Sequence, residues 1–347
     1  MNNASLARLL DSIVGAAQRG WTPDDLLHVA GRDIHPLLYQ AAPRIPARVA
    51  SPALRHEWLM LAPPKNPFYK PQRVSEWLDQ VPFLPHLRDV QILANPLNPR
   101  FDGDSQDTRI RRKVEALLRK AESTSFPDEA DALVARAQQL RQDYRLSDES
   151  PDGPVVARRI RLSAPYVKHK FTLLCALCRA NGVSSLLLHD SGIATLFGAP
   201  EDVEHVCDLY PSLERQCRHF MNTGVGADLA RMYGQTASYR RSFQLAYAAR
   251  IAELLMEAND AAAAAPQPNA GEKPAARDEE NARVPVVVRR TALAEQERAR
   301  LFPHLSTMSL SANHALGLRD GVEAAESSHL RGDSTGVRGG RRALPAA

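Results

Sequence analysis

The sequence predicts a mostly helical α+β protein, and three observations support this fold class. Apolar residues recur every three or four positions over residues 1–45, 105–146 and 238–259, which is the spacing of amphipathic helices. Residues 155–220 instead show the order strand, helix, strand, strand, helix. The chain has 347 residues, 44% of them hydrophobic, so it can form two or three domains of roughly 100–200 residues each.

Residues 1–45 form the predicted N-terminal helical region. Apolar residues from Leu6 to Ala17 share one helix face, and Gly20 ends that helix. Thr22 is placed to cap a second helix, with Pro23 at its first position and acidic residues in its first turn. Residues 46–104 are rich in proline, so we expect a connecting segment with one short helix near Val74–Gln80.

Residues 105–146 predict an antiparallel helical hairpin. Two amphipathic patterns flank the turn "STSFPDEA", in which Ser125 and Asp128 form a capping-box pattern. The apolar faces are narrow and contain several alanines, so the two helices approach closely. Such a pair buries too little surface to be stable alone, and it must dock on the rest of the chain or on a partner.

Residues 155–259 predict a small β-α-β-β-α domain with an extra helix. Gly192 marks the turn between the second and third strands, and the helix after them continues through Pro211. Residues 260–283 are a low-complexity sequence typical of a disordered linker. Residues 284–347 predict short C-terminal elements, including a strand at "VPVVV", and a flexible tail rich in arginine and glycine.

The hairpin resembles the family catalogued as domain of unknown function 2786. The matching features are the apolar helix ending in "AEST" at 121–124, then "EA" at 129–130 and "AQQL" at 137–140. The segments "PYVKHKFTLLCAL" and "YRRSFQLAYAARI" are similar to the α+β domain that usually follows it. The resemblance implies an architecture and an actinobacterial or phage setting, and it implies no reaction, cofactor or catalytic residue.

The distribution of charge favours a nucleic-acid-associated binding protein without enzymatic activity. Basic residues gather on predicted helix faces, where they would contact phosphate with little sequence choice; they are Arg112, Lys113, Arg119, Lys120, Arg240 and Arg241. The formal charge is +4, and residues 283–347 carry ten arginines and six acids, so the preceding part is neutral. That neutrality equally fits the alternative, a structural adaptor that docks another protein on the alanine-rich hairpin.

The residues offer little for catalysis or for binding a metal or cofactor. Cys175, Cys178 and Cys207 are weak metal candidates, because their spacing matches no zinc site and Cys175 and Cys178 lie inside an apolar helix. "RHEWLM" at 55–60 lacks the second histidine of a zinc-peptidase helix, since Met60 occupies that position. We expect no cofactor, and an enzyme remains the least favoured class.

A helix start near residue 166 leaves one further alternative open. Tyr166, Lys168, His169 and Lys170 are placed there to contact phosphate, although a solvated helix end is the commoner explanation. A deep pocket that gathers His169, His205 or His219 would favour an enzyme. No membrane-spanning run and no secretory signal is present, so we expect a cytoplasmic protein, with its oligomeric state left open.

Overall fold

The computed structural model describes residues 3–47, 49, 51–93, 154–264 and 286–328. These residues form eleven helices and one three-stranded sheet, which confirms the mostly helical α+β class. In chain order the elements are α1 (Asn3–Gln18), α2 (Pro23–Ala30), α3 (His35–Ala41), α4 (Pro52–Leu59), α5 (Arg73–Gln80), β1 (Val156–Arg161), α6 (Val167–Ala180), β2 (Ser184–Leu188), β3 (Ile193–Gly198), α7 (Pro200–Asn222), α8 (Val225–Met232), α9 (Thr236–Ala264), α10 (Val286–Leu301) and α11 (Ala315–Glu326).

Helices α1 to α5 share one apolar core with the proline-rich chain between them. The three tryptophans, Trp21, Trp58 and Trp77, are fully buried there. Each indole N–H donates to a backbone carbonyl: Trp58 to that of Trp21 at 3.0 Å, Trp77 to Ala30 at 3.0 Å and Trp21 to Pro85 at 2.8 Å. A buried indole N–H without a partner would cost free energy, so these bonds fix how the proline-rich residues lie on α1 and α2.

Helix α2 begins as the sequence predicted. The backbone N–H of Asp25 donates to Thr22 Oγ1 at 3.1 Å, and the backbone N–H of Thr22 donates to Asp25 Oδ2 at 3.2 Å. This reciprocal capping box, with Pro23 in the first turn, satisfies two of the helix's free N–H groups. It also holds the carboxylate of Asp25 in a fully buried position.

The sheet is antiparallel in the order β1-β3-β2, and both of its faces are covered. Ala194 and Leu196 of the central strand β3 pack against α6 and α7. Phe197 packs on the opposite face with Ala294 of α10, while Ile193 joins the core of the N-terminal helices. Every residue of β3 is therefore buried, which explains its unbroken run of small and apolar residues.

A buried ion cluster joins β1 to the N-terminal helices. The guanidinium of Arg159 donates to Asp25 Oδ2 at 2.6 Å and to Asp89 Oδ1 at 2.5 Å, and its side chain is 2% exposed. Thr195 of β3 donates its hydroxyl to Asp89 at 2.9 Å, and Arg161 donates to Asp25 at 3.0 Å. The cluster therefore connects α2, the turn around Asp89 and two strands.

Helix α11 packs closely against the first half of α9 through two glycines. Gly317 and Gly321 are four residues apart and face the backbone of α9. A Cβ atom added at Gly317 would lie 2.5 Å from the carbonyl oxygen of Tyr239, too close for two non-bonded atoms. The phenol of Tyr239 donates a hydrogen bond to Asp320 at 3.0 Å. Small residues at this spacing let two helix backbones approach, so α11 is an integral part of the fold.

Several elements differ from the sequence expectations. Val286–Val288 lie in α10 and not in the predicted short strand, and Arg290 of this helix is buried against Asp202 of α7 at 3.1 Å. Helix α9 continues to Ala264, beyond the expected boundary at 259. Helix α3 lies within the predicted helical region 1–45, whereas α4, α8 and α11 had no sequence prediction. The predicted hairpin at 105–146, most of the predicted linker and the tail after residue 328 lie outside the described residues.

Candidate functional site

Two of the basic residues selected from the sequence lie together at the start of α9. Arg240 is half-buried and donates to Asn222 Oδ1 at 2.7 Å, and Arg241 is exposed. Neither arginine forms an ion pair with any carboxylate in the described part of the chain. Both guanidinium groups therefore keep their charge available to an anion from outside.

Arg240 lines a cavity of about 190 Å³ between the start of α6, the second half of α7 and the start of α9. We call it the α6/α7/α9 cleft. Its apolar side is formed by Leu173, Cys217 and Met221. Its polar side includes Tyr166, His169, Lys170, Glu214, Arg218, Asn222, Arg240 and Gln244.

The α6/α7/α9 cleft has an excess of positive charge. Lys170, Arg218 and Arg240 are its basic residues and Glu214 is its one acid among the described lining residues, so the balance is 3 − 1 = +2 with His169 neutral. Glu214 is already engaged, because it forms an ion pair with Arg218 and lies 3.7 Å from Lys170 Nζ. This excess of positive charge favours an anionic ligand.

His169 is a polar group of the cleft whose ring has no hydrogen-bond partner among the described residues. The residue is only 9% exposed, and its ring meets Tyr166 edge to face with centroids 6.0 Å apart. Its ring nitrogens make no hydrogen bond to any described residue. Burial and the nearby charge of Arg241 both lower the pKa of His169 below its usual value near 6.5. The imidazole is therefore neutral at neutral pH, with one donor and one acceptor free.

The structure brings together only part of the set predicted from the sequence. Tyr166, His169 and Lys170 line the cleft, whereas Lys168, His205 and His219 do not. The basic hairpin residues lie outside the described residues; they are Arg112, Lys113, Arg119 and Lys120. Sequence reasoning did not select Arg218 and Asn222, which lie one turn apart near the end of α7.

A second cavity, of about 560 Å³, lies between α2, α4 and β1. His35, His56 and Glu57 line it, and burial followed by the nearby Asp25 carboxylate raises the pKa of Glu57. However, Nε2 of His35 and of His56 is shielded from solvent and has no hydrogen-bond partner among the described residues. These two nitrogens are unsatisfied polar atoms in the lining of the cavity, whereas Arg161 is engaged by Asp25.

The cysteines are buried to different degrees and all are free thiols. Cys175 Sγ lies 3.5 Å from Ser185 Oγ, and Cys178 is fully enclosed nearby. Burial raises the pKa of Cys207 to about 11 and those of Cys178 and Cys217 further, so these thiols stay protonated at neutral pH. No group of three or more His, Cys, Asp or Glu side chains in the described ranges is placed to hold a metal ion.

Comparison with known families bears on a different part of the chain. Residues 109–148 match the family model described as Protein of unknown function (DUF2786). The DUF2786 resemblance of the hairpin sequence is thereby confirmed, and the similarity of the following α+β segment to a companion domain stays a prediction. No curated protein and no solved structure matches the chain. Among the described helices, none has the length and apolar character needed to cross a membrane.

Proposed function

We propose that the chain is a nucleic-acid-associated binding protein that contacts phosphate through the α6/α7/α9 cleft and the start of α9. The observation that carries this proposal is that Arg240 and Arg241 have no acidic partner among the described residues. Arginine binds phosphate with its planar array of N–H donors, which gives both attraction and orientation. Such contacts read the backbone, so affinity depends strongly on salt and weakly on sequence.

Three arginines in residues 286–328 are paired with acids. Arg290 is buried beside Asp202 and Glu201, Arg300 pairs with Glu297, and Arg319 pairs with its neighbour in the chain. Residues 286–328 carry five arginines and five acids, so the positive excess of residues 283–347 comes from the arginines on either side of this range.

The test is fluorescence anisotropy of full-length protein with labelled DNA and RNA strands of about 20 nucleotides, single and double, at about 50 mM salt. We compare wild type with Arg240→Gln/Arg241→Gln. The matched control is Arg8→Gln/Arg88→Gln, which removes two exposed arginines of the N-terminal helices without affecting the cleft. A further variant keeps the length of the tail and removes its charge by substituting glutamine for Arg331, Arg338, Arg341 and Arg342.

We expect Arg240→Gln/Arg241→Gln to weaken binding by about tenfold or more, because a hydrogen bond to a charged group contributes about 1.5–3 kcal/mol. The N-terminal control should stay within about twofold of wild type. Absence of binding, or binding that only the tail variant abolishes, would overturn the proposal. The alternative of a protein-docking adaptor would then be pursued by pull-down.

A further inference from the structure

The first turn of α6 has unfilled hydrogen-bonding capacity at one end of the α6/α7/α9 cleft. Tyr166 precedes the helix with a φ of +67°, and no side chain caps the helix start. The N–H of Lys170 bonds to the carbonyl of Tyr166 at 2.9 Å, which leaves the preceding helical N–H groups as free donors. A helix N-terminus with free donors attracts anions, and phosphate in particular.

His169 provides a second polar group at this place. Its side chain is nine-tenths buried, lines the cleft and has no hydrogen-bond partner among the described residues. The ring nitrogens of His169 are not shielded from solvent, so its N–H is available to an acceptor in the cleft. His169, one of the first-turn residues of α6 whose backbone N–H is free, therefore lines the same space as Arg240.

The charge and size of the cleft distinguish between kinds of phosphate. A phosphate monoester carries a charge of about −1.5 to −2 at pH 7, whereas a diester within a strand carries one negative charge. The excess of +2 in the cleft matches the monoester. A cavity of about 190 Å³ is smaller than the roughly 300–1,000 Å³ of pockets that enclose a drug-sized ligand. It suits one phosphate group whose sugar and base remain outside.

We propose that the α6/α7/α9 cleft binds the terminal phosphate monoester of a nucleic-acid strand, held by the free amides of α6, by His169 and by Arg240. This inference rests on the proposed function, which it refines from phosphate contact in general to recognition of a strand end. Lys170 and Arg218 supply further positive charge, and Glu214 between them keeps their side chains in place.

The test compares single strands of one sequence that carry a 5′-phosphate, a 3′-phosphate or hydroxyl groups at both ends. We expect wild type to prefer one phosphorylated end over the hydroxyl strand by about tenfold or more, and Arg240→Gln to reduce this preference to about twofold or less. His169→Phe retains a buried ring and removes the N–H donor, so it should also reduce the preference. Arg8→Gln should leave the preference unchanged.

The possible results separate the two proposals. If all three strands bind wild type equally and Arg240→Gln/Arg241→Gln weakens them equally, the proposed function stands and end recognition is overturned. If no strand binds, both fail. Inorganic phosphate and a nucleoside monophosphate are added as competitors. If either competitor displaces the labelled phosphorylated strand at the same concentration as the unlabelled phosphorylated strand does, the ligand of the cleft is a free phosphate monoester. That result would overturn the proposal that the cleft binds a strand end.

Discussion

Replacing Arg159 with methionine removes the cation that lies between two buried carboxylates. The side chains of Asp25 and Asp89 are fully buried and that of Arg159 is 2% exposed, so water cannot compensate for the loss. Arg161 still donates to Asp25, but Asp89 keeps only the hydroxyl of Thr195 among the described side chains. Breaking such a pair by removing one partner costs about 3–5 kcal/mol, and we expect that loss for Arg159→Met.

The assay is urea unfolding followed by tryptophan fluorescence and by far-ultraviolet circular dichroism. All three tryptophans lie in the core of the N-terminal helices, whereas Arg159 belongs to β1. Fluorescence therefore reports on the part of the fold that does not contain the substitution. We expect Arg159→Met to shift the unfolding transition to lower urea by the same amount in both signals. Arg88→Met, at an exposed neighbour of Asp89, should change stability by no more than about 0.5 kcal/mol. A fluorescence transition that Arg159→Met leaves unchanged would refute the coupling of the two regions.

Three further predictions concern packing, acid stability and thiol reactivity. Gly317→Ala places a Cβ against the backbone of α9 and should lower the free energy of unfolding by about 1–2 kcal/mol. The control Gly15→Ala in α1 should raise the free energy of unfolding by about 0.5–1 kcal/mol. Equal effects of the two substitutions in urea unfolding would contradict the close packing of α11. Burial alone would raise the pKa of Asp25, but the charges of Arg159 and Arg161 outweigh the effect of burial and lower the pKa. The stability that this carboxylate contributes is therefore present above about pH 4 and is lost as the pH falls through the pKa of the folded state. The difference in urea midpoint between wild type and Asp25→Asn should therefore shrink below about pH 4, and a constant difference would argue against the ionised cluster. In a thiol-reagent assay of native protein, Cys178 and Cys217 should react far more slowly than after unfolding, and fast labelling of both would contradict their burial.

Local features of the fold could be predicted from the sequence because neighbouring residues determine them. The capping box of Thr22 and Asp25 involves residues three apart, and the turn at Gly192 needs one residue with positive φ. Helix α4 was missed although Ser51 caps it and Pro52 lies in its first turn, because we read the prolines of residues 46–104 only as helix breakers.

The ion cluster and the cleft could not be predicted because they depend on residues far apart in the chain. Arg159 meets Asp89 across 70 positions, and the arginines of the β1 sequence do not indicate which of them turns inward. In the cleft, Arg240 meets Asn222 across 18 positions. Only the basic start of α9 and the polar start of α6 were visible in the sequence, whereas the contribution of α7 requires the packing of three helices.

The salt dependence of binding tests the central claim most directly. The affinity of full-length wild type for a labelled single strand is measured from about 50 to about 300 mM salt, beside Arg240→Gln/Arg241→Gln. Each phosphate contact on a single strand contributes about 0.7 to the slope of log K against log salt. If both arginines contact phosphate, the slope of the variant falls by about 1.4. An unchanged slope, or no binding by wild type at the lowest salt, would contradict a phosphate site at the start of α9.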